Sequence, residues 1–203
     1  MQVCIEGNIG SGKSTVCEAL RNTAEYHVCP EPIEEWKEWL PLFYGDRKRW
    51  AFSFQMKVLA GHVTMGSNAP KDKVVVLERS MLAGRHVFAQ MLYNQMDITD
   101  KEWAVYRNYF DIVERWPDAI VYIKADPKVC LERIASRARA GEGDISAEYL
   151  HKVDFQYSNF LKYASTRIPV HVVDGHKGSE CVLREIQDIL SKYSRHKSFL
   201  SGM

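Results

Sequence analysis

No stretch of the 203 residues approaches 18 continuous apolar positions, so nothing here reads as a membrane-spanning helix. An excess of one charge is also missing: 27 Lys and Arg face 26 Asp and Glu, for a formal net charge of +1. A generic nucleic-acid binder usually carries a strong basic excess, so this balance argues against that class of partner. It leaves room for an anionic ligand held by a few local cations. Cysteine pairs are lacking too. Cys4, Cys17, Cys29, Cys130 and Cys181 are odd in number, widely scattered and include no C-x-x-C pair. Several lie in apolar runs, where the thiol behaves as a small hydrophobe, which points to a reducing compartment. The N-terminus has no charged segment followed by an apolar one, so it does not read as a secretory signal. The expectation is an intracellular, cytoplasmic protein with no targeting segment in this chain, compatible with a presequence trimmed upstream. Internal repeats, linkers and low-complexity tracts are absent.

What is present is an alternation. Short apolar runs at 3–5, 27–29, 74–77, 119–123 and 170–173 read as strands buried on both faces. Helical patterns separate them, over about 13–24, 46–65, 81–93, 100–115, 127–139, from 146 onward and over 181–193. Trp50, Phe54, Val58 and His62 follow one another at four-residue spacing along one stripe of the second. Pro127 suits a helix's first turn, and Ser146 suits an N-cap. Buried strands alternating with helices imply an α/β fold: a parallel sheet, here five-stranded, flanked by helices on both faces. The length fits one large domain over residues 1–203.

Between the first strand and the first helix stands Gly7-Asn8-Ile9-Gly10-Ser11-Gly12-Lys13-Ser14, followed by Thr15. This fits G-x-x-x-x-G-K-[ST] in the strand–turn–helix setting that a phosphate loop requires. Glycines let backbone N–H groups turn around phosphate oxygens, and the helix N-terminus adds a positive dipole end. Lys13 can bridge the β- and γ-phosphates, and Ser14 can offer its hydroxyl to Mg²⁺. ATP or GTP is the expected ligand. GTPases need an N-K-x-D element, and larger ATPases end an apolar strand in D-E; neither is found. The third strand ends instead in Leu77-Glu78-Arg79-Ser80, placing Glu78 where ligands gather in open α/β sheets.

Five segments in order resemble the deoxyribonucleoside kinases, the family of the deoxycytidine, deoxyguanosine and mitochondrial thymidine kinases and the multisubstrate insect enzyme. They are Ile5 to Thr15, Glu31-Pro32-Ile33-Glu34-Glu35-Trp36, Trp50 to Gln55, Glu78-Arg79-Ser80, and Arg133 to Arg139 with its glycine-broken sequel. The match covers roughly residues 3–165 and implies a P-loop kinase fold with an Arg-bearing lid at about 137–146. It implies ATP- and Mg²⁺-dependent phosphorylation of a deoxyribonucleoside 5′-hydroxyl. The resemblance makes Glu31 the catalytic base and Arg79 its partner, although Glu31-Pro32 also reads as a strand-ending turn. Glu34 and Glu35 compete, but a short helix would turn both outward. Glu78 would join Ser14 at Mg²⁺. Arg133, Arg137 and Arg139 precede a glycine-rich break suited to a lid; the resemblance favours the last two as phosphate contacts. A solvated basic helix end is the alternative.

For the nucleoside, Gln55 offers a paired donor and acceptor to a base edge, and the resemblance gives it that task. It implies an aromatic sandwich by Phe54 and Phe88, with Trp36 and Val58 lining the pocket and Tyr44 and Glu142 at the sugar 3′-hydroxyl. Where the deoxycytidine and deoxyguanosine members carry Arg and Asp, this chain carries His62 and Gly84. Gly84 leaves room for a 5-methyl group and cannot repel a thymine carbonyl. The pocket therefore reads as pyrimidine-directed with thymidine favoured, closest to the thymidine-type and insect members; the role of His62 stays open. The resemblance also implies a homodimer through residues 80–94 and 100–115, where Met81, Met91, Met96 and Trp103 suit an interface or a core equally. A nucleoside monophosphate kinase such as a thymidylate kinase, and a non-catalytic member of the fold, are the competing readings.

Overall fold

The structure is a computed structural model that describes residues 1–139, 142–143 and 145–200, with side chains described as far as 194. Its centre is a five-stranded, all-parallel sheet of β1 (Gln2–Gly7), β2 (Tyr26–Cys29), β3 (Val74–Glu78), β4 (Ala119–Lys124) and β5 (Val170–Asp174), in the order β2-β3-β1-β4-β5. β1 lies between β3 and β4, in registers that pair Ile5 with Glu78 on one side and Val121 on the other. Every strand therefore ends on the same rim, where ligand crevices form in such sheets.

Alternation along β1 assigns its two faces. Val3 and Ile5 pack with Val16, Cys17 and Leu20 of α1 (Lys13–Arg21) and with Val182, Ile186 and Leu190 of α9 (Ser179–Leu200). Cys4 faces the opposite way, into a larger cluster. That cluster is built with α3 (Arg47–Thr64), α4 (Met81–Ala83), α5 (Gln90–Asn94), α6 (Asp100–Val113), α7 (Pro127–Arg137) and α8 (Ala147–Ala164). A short 3₁₀ turn, Ile33–Trp36, and α2 (Trp39–Gly45) follow β2, and a π-helical turn, Gly84–Ala89, joins α4 to α5.

The ends of these elements follow local chemistry. Pro127 occupies the first turn of α7, and Ser146 Oγ accepts from Tyr149 N to cap α8. Thr99 and Glu102 close a reciprocal capping box on α6. α7 stops at Arg137, two residues before the expected end, because Ala138 turns into the left-handed region at φ 45°. Of the interface candidates, Met81, Met91 and Trp103 are buried within this chain, and Met96 is exposed. The large apolar residues of α6 that face outward are Val105, Tyr109 and Ile112. Within the expected lid at 137–146, Ala140, Gly141 and Asp144 lie outside the described residues. No described helix is long and apolar enough to cross a membrane.

Candidate active site

The loop after β1 turns through left-handed backbone at Gly10 (φ 80°) and Gly12 (φ 102°). A Cβ on Gly10 would lie 2.5 Å from the Cys130 carbonyl oxygen, so close backbone approach as well as φ demands glycine there. α1 begins at Lys13 with no side-chain cap and no acidic residue in its first turn. Its first N–H groups and positive dipole end are thus left to an anion. Lys13 Nζ folds back to donate to the carbonyls of Gly7 (3.0 Å) and Asn8 (2.8 Å). Burial lowers the pKa of this lysine to about 8, with Arg79 adding to the effect and Glu31 and Glu78 opposing it. Asn8 serves the loop's shape: its side chain donates to the Leu150 carbonyl and accepts from Ile9 N.

Two clefts meet at this loop. One is lined by Gly10, Ser11, Gly12, Lys13, Ser14, Thr15, Arg133, Arg137, Gly175, Lys177 and Ser179, and suits a phosphate chain. The other, about 790 Å³ including its mouth, runs from Ile9, Gly10, Lys13 and Ser14 past Glu31, Glu78 and Arg79. It ends among Trp36, Tyr44, Phe54, Gln55, Val58, Gly84 and Phe88, with Arg137, Arg139, Glu142 and Tyr149 on its rim. Residues as far apart in sequence as Ile9 and Tyr149 thus meet on one rim.

At the junction, Ser14 Oγ donates to Glu78 Oε1 at 2.5 Å, and Glu31 N reaches Glu78 Oε2 at 3.4 Å. Arg79 Nε donates to Glu31 Oε1 at 2.8 Å, both side chains being 10% exposed or less. The Arg79 guanidinium lies over the Phe88 ring, 4.6 Å from its centroid. Burial works against the Arg79 charge, but Glu31, then Tyr157, Glu6 and Glu78, outweigh it and hold the group above its ordinary range. Arg79 also sits at φ 64°, a strained conformation for a residue with a Cβ. Glu34 and Glu35 are exposed and pair with Lys37 and Lys57, away from the cleft.

In the apolar end, Gln55 Oε1 and Trp36 Nε1 are buried without a hydrogen-bond partner. Buried polar atoms are paired in the great majority of cases, so an open acceptor in a cleft wall marks a place for a ligand. Around Gly84 there is room: a Cβ added there would meet only Tyr106 Oη, at 3.9 Å. Ser14 and Glu78 offer hard oxygen donors beside the phosphate loop, the sparse donor set that suits Mg²⁺ shared with a substrate's phosphates.

Three expected site residues sit differently. His62 does not line the main cleft; it stacks on Trp36 from behind (centroids 5.8 Å apart), bonds Val58 O through Nδ1 and faces a separate small cavity. The α3 stripe runs one turn past the cleft. Arg133 braces backbone, donating to the carbonyls of Ser11 (3.2 Å) and Gly175 (2.9 Å), while still lining the phosphate cleft. Glu142 accepts from Arg137 Nε and Nη2, each at 2.9 Å, and from Arg139 Nη1 at 3.4 Å, so its hydrogen bonds go to arginines. Residues the sequence reading did not single out include Ile33, Leu40, Phe43 and Tyr149 in the main cleft and Gly175, Lys177 and Ser179 in the other. Glu6 and Tyr157, bonded to each other below Arg79, were also missed. A charged residue inside the otherwise apolar first strand was the one available signal.

Comparison with known proteins follows the same lines. The family model for deoxynucleoside kinases matches residues 3–196. A kinase protein of Invertebrate iridescent virus 3 is 32% identical over 194 residues, covering 95% of this chain and 97% of that protein. Mitochondrial thymidine kinase 2 of Homo sapiens is 29% identical over 193 residues, 89% of this chain and 73% of that protein. Among solved structures, a deoxyadenosine kinase from M. mycoides with dCMP and dCDP superposes with a TM-score of 0.85. It is 24% identical and covers 95% of this chain and all of that one, a likeness of fold.

Proposed function

This chain belongs to the deoxynucleoside kinases, and on that premise we propose that it transfers the terminal phosphoryl group of ATP to the 5′-hydroxyl of a deoxyribonucleoside, thymidine being favoured. One observation carries the reading: the phosphate cleft and the apolar cleft share Gly10, Lys13, Ser14 and Arg137, so two substrates in them would meet end to end. Glu31 would accept the hydroxyl proton, and Arg79 would hold that carboxylate and the hydroxyl in register. Lys13, Arg137 and Arg139 supply positive charge where the transferring phosphoryl spreads its negative charge. Ser14 and Glu78 would hold Mg²⁺, which when bound neutralises phosphate oxygens. Residues 1–203 act as one kinase domain, with the lid at about 137–146.

Specificity follows from the apolar end. Gln55 can accept from a thymine N3–H and donate to a ring carbonyl, a pairing that fixes the base in its plane. Phe54 and Phe88 would flank the ring, Trp36 and Val58 close the pocket, and the space at Gly84 admits a 5-methyl group. Tyr44 and Glu142 would take the 3′-hydroxyl, Glu142 then sharing its oxygens with the sugar as well as with arginine. The exposed Val105, Tyr109 and Ile112 stripe on α6 supports a homodimer through that helix.

Phosphate transfer from labelled ATP to each of the four deoxynucleosides, and to thymidylate, tests the proposal. It predicts the highest kcat/KM for thymidine, deoxycytidine next. Absence of turnover with every deoxynucleoside at millimolar concentration would overturn it, and preference for thymidylate would assign a monophosphate kinase instead.

A further inference from the structure

Below the Glu31–Arg79 pair runs a buried hydrogen-bond chain that the reaction as described above does not use. Arg79 Nη1 donates to Tyr157 Oη at 2.7 Å, and Tyr157 Oη donates in turn to Glu6 Oε2 at 3.0 Å. The other oxygen of Glu6 accepts from Ser80 N at 2.8 Å and Ser80 Oγ at 2.5 Å. Glu6 and Tyr157 are 0% exposed, and Arg79 is 5% exposed. Alternation along β1 turns Glu6 to the Cys4 face, toward α8, and α8 brings Tyr157 to meet it.

Burying a carboxylate is costly, and an apolar residue of similar volume would serve packing as well or better. What Glu6 does that an apolar residue could not do is hold Arg79 from two directions. Through Ser80 it fixes the backbone immediately after Arg79, whose φ of 64° persists only where the surroundings over-determine it. Through Tyr157 it fixes the guanidinium. The phenol between them matters, because a Glu6 in direct contact would compete with Glu31 for the arginine. As arranged, Arg79 forms its direct ion pair with Glu31, while Glu6 lies one hydrogen bond further away. Burial raises the Glu6 pKa, and Arg79 and the hydrogen bonds from Ser80 and Tyr157 oppose that rise and favour its carboxylate form.

We propose that Glu6 and Tyr157 are positioning residues for phosphoryl transfer, clamping Arg79 so that its Nε keeps Glu31 aimed at the acceptor hydroxyl. The proposal rests on the roles given above to Glu31 and Arg79. When Glu31 takes the proton from the 5′-hydroxyl its charge is lost. The charge on Glu6, unchanged in that step, then balances the Arg79 guanidinium through Tyr157.

Tyr157→Phe deletes the bridging hydroxyl alone, and Glu6→Gln keeps volume while removing the charge. Each is expected to lower kcat with thymidine about tenfold, roughly 1.4 kcal/mol of transition-state stabilisation. The KM for ATP and the thymidine Kd should stay within about threefold of wild type. The double variant should be no slower than the slower single one, because both act on one chain of contacts. A purely structural role would lower the melting temperature and leave kcat of the folded protein unchanged. If Tyr157→Phe does not fold, Glu6→Gln carries the same expectation. A folded variant with kcat within twofold of wild type, or rate losses that multiply in the double variant, would overturn the proposal. Glu31→Gln run alongside separates the two claims. If it is inactive while Tyr157→Phe is not impaired, only the clamp fails; if it is fully active, the assignment of Glu31 fails first.

Discussion

A guanidinium held at Nε by Glu31, at Nη1 by Tyr157 and by the Phe88 ring across its face has little freedom left to lose when a substrate arrives. That prior ordering suits Arg79 to the role proposed for it at a reacting hydroxyl. The same logic applies to Lys13, whose ammonium rests on two loop carbonyls that phosphate would replace. Its pKa of about 8 lies below that of a free lysine, so above pH 8 the nucleotide-free protein increasingly holds it neutral. Phosphate binding favours the charged form. ATP binding should therefore take up protons between about pH 8 and 9.5, and its affinity should fall with rising pH in that window. Calorimetry in buffers of different ionisation enthalpy measures the uptake; zero uptake at pH 8.5 contradicts the charge state given to Lys13. At Gly84, the open space makes a direct specificity test. Gly84→Asp puts an acceptor where a thymine carbonyl would lie and where a cytosine amine can donate, so kcat/KM for deoxycytidine over thymidine should rise by about tenfold or more, roughly one good base contact. An unchanged ratio would remove Gly84 from the base pocket. Lys13 and Ser14 were legible because their chemistry is local to a motif, and Arg79 and Gly84 through the family resemblance. Glu6 and Tyr157 were not, since only the fold brings β1 and α8 together, and a buried tyrosine on a helix looks like any core aromatic.

Among elements, the central strands were the most readable, because β1, β3 and β4 are buried on both faces and leave near-unbroken apolar runs. The edge strands β2 and β5, expected to be buried on both faces, are only half-buried, and β5 exposes Val172. The long α3 helix was readable in extent but not in reach: its stripe continues through His62 to the far side of Trp36. α7 was readable up to Arg137, and the left-handed turn at Ala138 carried no glycine to announce it. Arg133 and Arg137 share a face, as their spacing requires, yet end on backbone carbonyls and on Glu142 respectively, a difference no periodicity encodes. The π-helical turn at Gly84–Ala89 was likewise silent in sequence. It places His86 against Phe160, with ring centroids 5.6 Å apart and planes 6° from parallel, and near Phe110 and Tyr163. Burial lowers its pKa to about 4, and the charges of Arg85 and Arg167 add to that. Since the folded-state value lies below the unfolded one near 6.5, the unfolded chain binds the extra proton over this range. Stability contributed by neutral His86 is present above pH 6.5 and lost as the pH falls toward 4. His86→Phe should shrink the drop in melting temperature between pH 7 and pH 4.5. A drop equal to that of wild type would show that another group drives acid unfolding.

For the whole molecule, the near-balance of 27 positive and 26 negative charges coexists with a site for a polyanion because the cations are concentrated. Lys13, Arg79, Arg133, Arg137 and Arg139 all converge on the rim where the strands end. Among the exposed large apolar residues, Val105, Tyr109 and Ile112 share one stripe of α6, and covering them with a second copy would remove them from water. Ile112→Lys should convert a dimer to a monomer in light scattering coupled to size exclusion, and a monomeric wild-type protein would contradict the homodimer.

In the proposed reaction, Glu31 takes the proton from a deoxynucleoside 5′-hydroxyl while Lys13 and the arginines hold the phosphates. Single-turnover transfer of labelled phosphate from ATP to thymidine, compared between wild type and Glu31→Gln with thymidine affinity measured on both, tests it most directly. Wild type is expected to yield 5′-labelled thymidylate, and the variant to bind thymidine unchanged and react slower by about 10²–10⁴, the usual contribution of a general base. A Glu31→Gln protein that transfers phosphate at the wild-type rate would contradict it.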